Sequence, residues 1–394
     1  MKSIERPIVA VLLKRFRNPG ALLQVVLGPR QVGKTTALHQ VIKRWPGPAH
    51  YASADLPAPP DPSWIQAQWQ VARQFAKERR KKTLLVLDEV QKVARWSEVV
   101  KALHDEDRRS KAQVRVAILG SSSLHVARGA QESLAGRFEQ HFVPHWSFPE
   151  CHAAFRWSLD QWIFFGGYPG AAAFSRDQTR WRSFVTDSLV EAVLSRDVLQ
   201  MAPVQKPALL RQLFMLAVRT PAQVLSFNKM LGQLQDAGNT VTLAHYLNLL
   251  SSAFLVSGLD RWSGGALRSR ASSPKLVVWN NAILNALSGL TFSETRRRTD
   301  WWGRLVENAV GGHLLNHGLS RSTFYWQEAH AEIDYVVESG RHLTAIEVKS
   351  GRKFDSHSAE VFRRRVPRAN LVTVGTGGIP LEEFFSTEPA VWLF

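Results

Sequence analysis

The stretch that decides the fold reads Gly28-Pro29-Arg30-Gln31-Val32-Gly33-Lys34-Thr35, early in a chain of 394 residues. It fits the pattern G-x-x-x-x-G-K-[ST]; the apolar run Leu22 to Leu27 precedes it and a helical stretch from Thr35 to Arg44 follows. A strand, a glycine-containing turn and a helix in this order predict a phosphate-binding loop (P-loop). In such a loop, backbone N–H groups and the helix N-terminus surround phosphate groups.

The residue types in this loop predict ATP and Mg²⁺ as ligands. Lys34 is expected to meet the β- and γ-phosphates, and Thr35 to supply an oxygen to Mg²⁺. The loop backbone, continued through Thr36, is expected to bind the remaining phosphate oxygens.

A second motif is the predicted buried strand from Leu84 to Glu89, which ends in two carboxylates. In this Walker B form, Asp88 is expected to hold the Mg²⁺ shell and Glu89 to activate the attacking water, which indicates hydrolysis and not only binding. The next predicted strand ends in three serines, of which Ser122 is taken as the residue that senses the γ-phosphate.

Phosphoryl transfer in such sites often needs an arginine beside the γ-phosphate. Arg137 is the first candidate because it follows the sensor strand, and Arg196 is the second. A structural ion pair is the alternative for either residue. An arginine that acts between subunits requires the protein to oligomerise.

The chain divides by pattern into four regions of an α/β protein. We predict a P-loop core with a parallel sheet at 1–147, a helical lid at 148–217, a winged-helix-like region at 218–290 and a second α/β unit at 291–394. The amino-terminal segment predicts an amphipathic helix packed on the first region.

The winged-helix interpretation depends on a helix from Pro221 to Asp236, a glycine break, and a helix from Thr240 to Ser252 followed by a strand. Thr240 or Thr242 is expected to cap the second helix. Two packed helices with a strand, without nucleic-acid binding, remain the alternative.

The last region contains a carboxylate and lysine pattern that is typical of metal-dependent phosphodiesterases. Asp334 lies on one predicted strand, and Glu347 and Lys349 share a face of the next. Two carboxylates can hold Mg²⁺ while the lysine stabilises charge on a phosphate, and Glu307 in the preceding helix can complete the metal site. Ordinary surface strands also meet this short pattern by chance.

The motifs together resemble one widespread prokaryotic family of AAA+-type ATPases. The segments that carry the resemblance, in chain order, are GPRQVGKTT, LDEVQKV, GSSS, SLAGRFE, GGYP, SRDV, RLVENAVGGHLL and EIDYVV with TAIEVKSG. It implies a P-loop core, a winged-helix region and a C-terminal restriction-endonuclease-like domain of the PD-(D/E)XK class. It also implies Asp334, Glu347 and Lys349 as the nuclease-type motif, with Glu307 as its helical acidic residue.

Charge and composition favour DNA as a partner and exclude several classes. The formal net charge is +17; residues 1–150 carry 24 basic against 13 acidic residues, 151–290 carry 13 against 7, and 291–394 carry 13 of each. Two arginine clusters, Arg296–Arg298 and Arg363–Arg365, are candidates for contact with nucleic acid, and Trp301-Trp302 is a candidate pair for stacking on bases. The alternative for the arginines is a solvated surface, and for the tryptophans a helix start packed on the core.

The single cysteine, Cys151, excludes a zinc-thiolate site and favours a reducing cytoplasm, and the apolar runs are too short to span a bilayer. We therefore expect an ATP-hydrolysing, DNA-binding protein without a membrane partner. Branched or single-stranded DNA are its candidate substrates, and a homo-oligomer such as a hexameric ring is its expected assembly. The alternative is a nucleotide switch whose inert C-terminal domain recruits DNA or a protein; a peptide-handling machine is disfavoured by charge.

Overall fold

The computed structural model describes residues 4–18, 22–120, 130, 132–199, 204–235, 238–264, 273–351 and 357–394. The chain forms two compact units, Met1–Val143 and Pro144–Phe394. Among the described residues, no helix combines the length and the apolar character that crossing a bilayer requires.

The first unit is built on a five-stranded sheet in which all strands are parallel. The strand order is β2-β3-β4-β1-β5. The strands are β1 (Leu23–Leu27), β2 (Ala49–Ser53), β3 (Thr83–Asp88), β4 (Val114–Leu119) and β5 (Phe138–Phe142). The helices are α1 (Pro7–Arg17), α2 (Lys34–Arg44), α3 (Pro62–Arg79) and α4 (Trp96–Ser110). This sheet matches the core of a P-loop ATPase and confirms the α/β prediction for this part of the chain.

The central strands are buried on both faces, as unbroken apolar runs predict. Every residue of β1 and β3 is buried, and two separate apolar clusters cover the two faces of the sheet. The amphipathic helix predicted at the amino terminus is confirmed: α1 places Leu12 and Phe16 in the same cluster as Leu38 of α2.

The second unit contains two sheets and many short helices. One sheet is antiparallel with order β6-β8-β7, and the other is mixed with order β12-β11-β10-β9. Their strands are β6 (Gln223–Val224), β7 (Val256–Leu259), β8 (Lys275–Val278), β9 (Thr323–Glu328), β10 (Ala331–Ser339), β11 (His342–Lys349) and β12 (Asn370–Gly375).

The helices of this unit precede, separate and follow these strands. Before the small sheet come α5 (Phe148–Phe155), α6 (Leu159–Phe165), α7 (Pro169–Ala172), α8 (Gln178–Ser183), wider helical turns at Phe184–Val190 and Val193–Val198, and α9 (Pro207–Arg219). Those that follow are α10 (Phe227–Gln233), α11 (Thr240–Ser252), α12 (Asn281–Ser288), α13 (Phe292–Arg297), α14 (Thr299–Leu314) with a wide turn at Leu315–Leu319, α15 (His357–Arg365), α16 (Leu381–Ser386) and α17 (Ala390–Leu393).

Buried asparagine side chains connect the small sheet to the helices around it. The Asn308 amide on α14 donates to the Val278 carbonyl at 2.8 Å and accepts from the Val278 N–H at 2.9 Å. Asn281 on α12 donates to the carbonyls of Ile163 at 3.0 Å and Leu305 at 2.9 Å. This asparagine network satisfies backbone groups of α6, α14 and β8 inside the core, where unmade hydrogen bonds are costly.

The region predicted as one helix from Pro221 to Asp236 is different in the structure. Its first residues pair with β8 as strand β6, and a shorter helix, α10, begins at Phe227. Ser226 causes this start, because its hydroxyl accepts a hydrogen bond from the Lys229 N–H at 3.2 Å and caps α10.

The predicted cap of α11 is also wrong. Asn239 is the capping residue: its side-chain oxygen accepts from the Thr242 N–H at 2.8 Å, while Thr240 lies inside the helix. Asparagine caps helices as well as serine or threonine does, and it stands one residue earlier.

Candidate functional site

The P-loop connects β1 to α2, and two of its glycines occupy positions that other residues would strain. Gly28 has φ 153°, and a Cβ atom there would lie 2.1 Å from the carbonyl oxygen of Val143. Gly33 immediately precedes α2 with φ 89°, in the left-handed region that glycine adopts readily. The two glycines let the loop turn tightly and direct the N–H groups of α2 toward a phosphate.

Lys34 is held against the start of this loop. Its side chain is buried, and Nζ donates to the carbonyl oxygens of Gly28 at 2.9 Å and Pro29 at 2.6 Å. These contacts fix the ammonium group over the loop, the position from which a lysine neutralises phosphate charge.

The Walker B aspartate lies beside the threonine of the loop, as predicted. Thr35 Oγ1 donates to Asp88 Oδ2 at 3.0 Å, and the Glu89 N–H donates to Asp88 Oδ1 at 2.9 Å. A hydroxyl and a carboxylate are the hard oxygen ligands that Mg²⁺ prefers, so these two side chains fit the predicted ion.

Tyr51 is a site residue that the sequence did not reveal. Its hydroxyl donates to Asp88 Oδ2 at 2.7 Å from β2, the strand next to β3. Burial, followed by the hydrogen bond to Asp88, raises the pKa of Tyr51 well above its ordinary value, so the phenol keeps its proton. Tyr51 is the middle residue of β2, and no motif in the sequence marks it.

Glu89 follows β3 in an unusual backbone conformation. Its φ is 53°, in the left-handed region that residues other than glycine seldom adopt, and its carboxylate accepts a hydrogen bond from the Gln91 side chain. The carboxylate that is predicted to activate water is therefore held at the same sheet edge as Asp88. Backbone strain of this kind is found often at functional sites.

Arg137 is the first candidate for the arginine beside the γ-phosphate. It lies at the amino-terminal ends of the parallel strands, whereas the P-loop lies at their carboxyl ends. Its carbonyl accepts from the N–H of Leu23, the first residue of β1, whereas the P-loop follows the last. Its guanidinium forms a double hydrogen bond with Asp105, at 2.7 and 3.0 Å. At about 3.3 Å per strand residue, the P-loop of the same chain is far from Arg137. Ser122 and the side chain of Arg196 lie outside the described residues.

A cluster of charged side chains lies in the second unit, which we call the acidic cluster: Glu307, Glu332, Asp334 and Lys275. Oxygen atoms of its three carboxylates lie within 4.8 Å of one another. Lys275 Nζ lies 2.7 Å from Glu307 Oε1, 3.1 Å from Glu332 Oε1 and 3.5 Å from Asp334 Oδ1. Glu332 and Asp334 are two residues apart on β10, so their side chains lie on the same face of the strand. Glu307 comes from α14 and Lys275 from β8.

Burial and the charges of neighbouring groups act in opposite directions on the protonation of this cluster. Burial raises the pKa of Glu307 to about 7, although Lys275 works against this effect. Burial lowers the pKa of Lys275, but Glu307 and Asp334 outweigh it and hold that pKa well above its ordinary value. Lys275 is therefore a buried cation.

The predicted metal set of Glu307, Asp334 and Glu347 differs from the set that the structure assembles. Glu307 and Asp334 come together with Glu332, and Glu347 instead pairs with Lys349, with Oε2 2.5 Å from Nζ. Asp334 nevertheless lies against the strand that carries Glu347, because its Oδ2 accepts the Val348 N–H at 2.7 Å. The predicted nuclease-type residues thus divide into two neighbouring groups.

Of the predicted stacking pair, Trp302 is not an exposed platform. It is 7% exposed, and the guanidinium of Arg296 lies over its ring at 4.1 Å from the centroid. The packed-helix alternative is correct for this residue.

Three family models match consecutive parts of the chain. Residues 21–152 match a family described as an AAA domain, residues 156–294 match the domain of unknown function DUF8612, and residues 302–384 match the domain of unknown function DUF4143. With the parallel sheet and the P-loop, the first match shows that the first unit is an AAA-type P-loop ATPase domain.

Proteins similar to most of this chain are found in Mycobacterium tuberculosis and Methanocaldococcus jannaschii. An uncharacterized protein of Mycobacterium tuberculosis is 27% identical over 351 residues, which cover 88% of this chain and 74% of the relative. An uncharacterized protein of Methanocaldococcus jannaschii is 23% identical over 278 residues, 64% of this chain and 58% of that one. Among solved structures, the Walker-type ATPase of Pyrococcus abyssi aligns with a TM-score of 0.48 at 12% identity, covering 71% of this chain and 94% of its own.

Proposed function

We propose that this protein hydrolyses ATP with Mg²⁺ and couples that reaction to binding of DNA. The observation that carries the proposal is the meeting of Lys34, Thr35 and Asp88 at one edge of a parallel sheet, with Glu89 beside them. These are the residue types that phosphoryl hydrolysis requires.

Each residue has a separate task in this mechanism. Lys34 neutralises the β- and γ-phosphates while the loop N–H groups bind their oxygens, and Thr35 and Asp88 hold the ion. When bound, Mg²⁺ neutralises charge on the phosphate oxygens. Glu89 accepts a proton from the water that attacks the γ-phosphate.

Two features support DNA as the partner: the surplus of positive charge, and the order of helices and strands around the small sheet. The basic surplus lies in residues 1–290, and the order α9, β6, α10, α11, β7, β8 is the order of a winged helix-turn-helix. We propose that this region contacts the DNA backbone, and that the protein acts in DNA repair, recombination or defence. A cytoplasmic location agrees with a single cysteine, which excludes an intramolecular disulfide.

The test is ATP turnover and DNA binding measured on the same preparations. We expect duplex, branched or single-stranded DNA to raise the turnover, and the DNA affinity to fall steeply with salt because phosphate contacts release counterions. Lys34→Ala serves as the matched variant: it should lose turnover and keep DNA binding. Affinity that does not change with salt would contradict the DNA part alone.

We further propose a homo-oligomer, for instance a hexameric ring, in which Arg137 serves the nucleotide of a neighbouring subunit. The support is the position of Arg137, which is remote from the P-loop of its own chain. Arg137→Ala should bind ATP but not hydrolyse it, and mixing it with Lys34→Ala should restore turnover at mixed interfaces. If the mixture stays inactive, Arg137 does not act between subunits.

The C-terminal region has two candidate roles. The sheet β9–β12 with α14 supports a nuclease-like domain of the PD-(D/E)XK class, acting on DNA with Asp334, Glu347 and Lys349. The lysine inside the acidic cluster favours the second role, an inert domain that recruits DNA or a protein while the first unit switches with nucleotide.

Cleavage assays separate the two roles. Wild type and Lys349→Ala are incubated with Mg²⁺ or Mn²⁺ on branched, single-stranded and duplex DNA. More cleavage by wild type on any substrate supports the nuclease; equal behaviour on all substrates supports recruitment.

A further inference from the structure

The acidic cluster is completed by a cation of the protein itself. The Lys275 side chain has no exposed surface, whereas the side chains of Glu307, Asp334 and Glu332 are 13%, 21% and 38% exposed. The ammonium group therefore lies on the inner side of the cluster, and the carboxylates separate it from water.

A divalent ion and this ammonium group compete for the same place. Magnesium and calcium bind oxygens at roughly 2.0–2.6 Å, and Lys275 Nζ is already 2.7 Å from Glu307 Oε1 and within 3.5 Å of the other two carboxylates. An ion that contacted all three carboxylates would lie almost in contact with a positive charge in a poorly solvated site, where repulsion between like charges is strong.

The backbone of Lys275 does not allow the ammonium to leave easily. β8 is the middle strand of the small sheet, and Lys275 is paired on one side with Val224 and on the other with Leu259. Its ammonium also lies 5.0 Å from the centre of the Tyr335 ring, whose hydroxyl donates to the Glu307 carbonyl at 2.7 Å. Lys275 is thus fixed from its main chain to its charged end.

We infer that Lys275 takes the place of a divalent metal ion in the acidic cluster, and that the wild-type cluster holds no Mg²⁺ or Mn²⁺. Removing the ammonium group converts the cluster into a divalent-cation site of three carboxylates. The inference concerns the second unit only and holds whether or not the first unit hydrolyses ATP.

The experiment compares Mn²⁺ binding to nucleotide-free wild type and Lys275→Met, followed by the electron paramagnetic resonance signal of free Mn²⁺. We expect Lys275→Met to bind one Mn²⁺ more than wild type, and Lys275→Met/Asp334→Asn to lose that additional ion. Lys349→Met is the matched control, since it removes the lysine that pairs with Glu347, and it should gain no ion. Any Mn²⁺ that binds to the first unit is common to all these proteins.

Two results would overturn the inference. One is a folded Lys275→Met protein that binds no additional Mn²⁺. The other is a wild-type protein that binds more Mn²⁺ than the Glu332→Gln variant does. This second comparison does not depend on whether Lys275→Met folds. Equal Mn²⁺ binding by wild type and Glu332→Gln supports the inference.

Discussion

The P-loop site and the acidic cluster contain the same residue types, a buried lysine and carboxylates, in two different arrangements. In the first unit the lysine and the carboxylate have separate partners: Lys34 is bound by backbone carbonyls, and Asp88 by hydroxyls and an N–H group. In the second unit Lys275 lies directly among the carboxylates.

The difference shows that the groups paired with a lysine or a carboxylate, more than the residue types themselves, decide what such a site can bind. Hydroxyls orient Asp88 without cancelling its negative charge, and carbonyls orient Lys34 without cancelling its positive charge, so both charges are directed to ligands. In the acidic cluster Lys275 offsets part of the negative charge of the three carboxylates and occupies the place among them that an external cation would take.

The largest effect is expected at Glu89, the carboxylate proposed to activate water. Glu89→Gln should lower kcat for ATP hydrolysis by about 10²–10⁴-fold, the contribution of a general base, with ATP affinity retained. Single-turnover hydrolysis and equilibrium ATP binding measure the two quantities. Glu98→Gln removes an exposed carboxylate of the same unit and should keep normal turnover. A Glu89→Gln protein with normal kcat would remove the proposed base.

Next in size is the stability of the second unit. Lys275→Ala should lower the free energy of unfolding by about 3 kcal/mol, because it leaves three partly buried carboxylates without their counter-charge. Urea unfolding measures this loss. Arg211→Ala breaks the exposed pair with Glu191 and should cost less than about 1 kcal/mol. Similar losses in the two variants would show that Lys275 is not buried among its partners.

The smallest effect is expected at Tyr51. Tyr51→Phe keeps the ring beside His39 and removes only the hydroxyl that orients Asp88. We expect the Mg²⁺ concentration at half-maximal turnover to rise about tenfold, the equivalent of one hydrogen bond to a charged group, with a smaller change in the KM for ATP. Magnesium titrations at saturating ATP measure the shift, and equal changes in both constants would indicate a structural role instead.

The nucleotide site was predictable because its information is local. The eight residues from Gly28 to Thr35 define their own turn, and the apolar strand that ends at Asp88 identifies the neighbouring carboxylate. Tyr51 was not predictable in the same way, since only the strand order β2-β3 places its hydroxyl beside Asp88. Arg137 was predicted to reach the γ-phosphate because it closely follows the sensor strand in sequence. The parallel sheet instead places it at the amino-terminal ends of the strands, away from the P-loop of its own chain.

The acidic cluster was predicted only in part because it depends on contacts between distant segments. Glu307 and Asp334 do come together, and the period-two alternation of β10 was a signal that could have added Glu332. Lys275 lies 59 residues before Asp334 in the chain, and no motif marks it. The alternation of side chains along the next strand predicted Glu347 beside Asp334 in the metal set, whereas in the structure Glu347 forms an ion pair with Lys349.

The asparagine network has an evolutionary consequence. Asn308 belongs to the helix before the C-terminal sheet, and its partner Val278 belongs to the small sheet, so a side chain of one region satisfies buried backbone groups of the other. A chain that exchanged the C-terminal region for a foreign one would leave these groups unsatisfied, at about 1–3 kcal/mol each. Recombination that separates the two regions is therefore expected to yield products of lower stability.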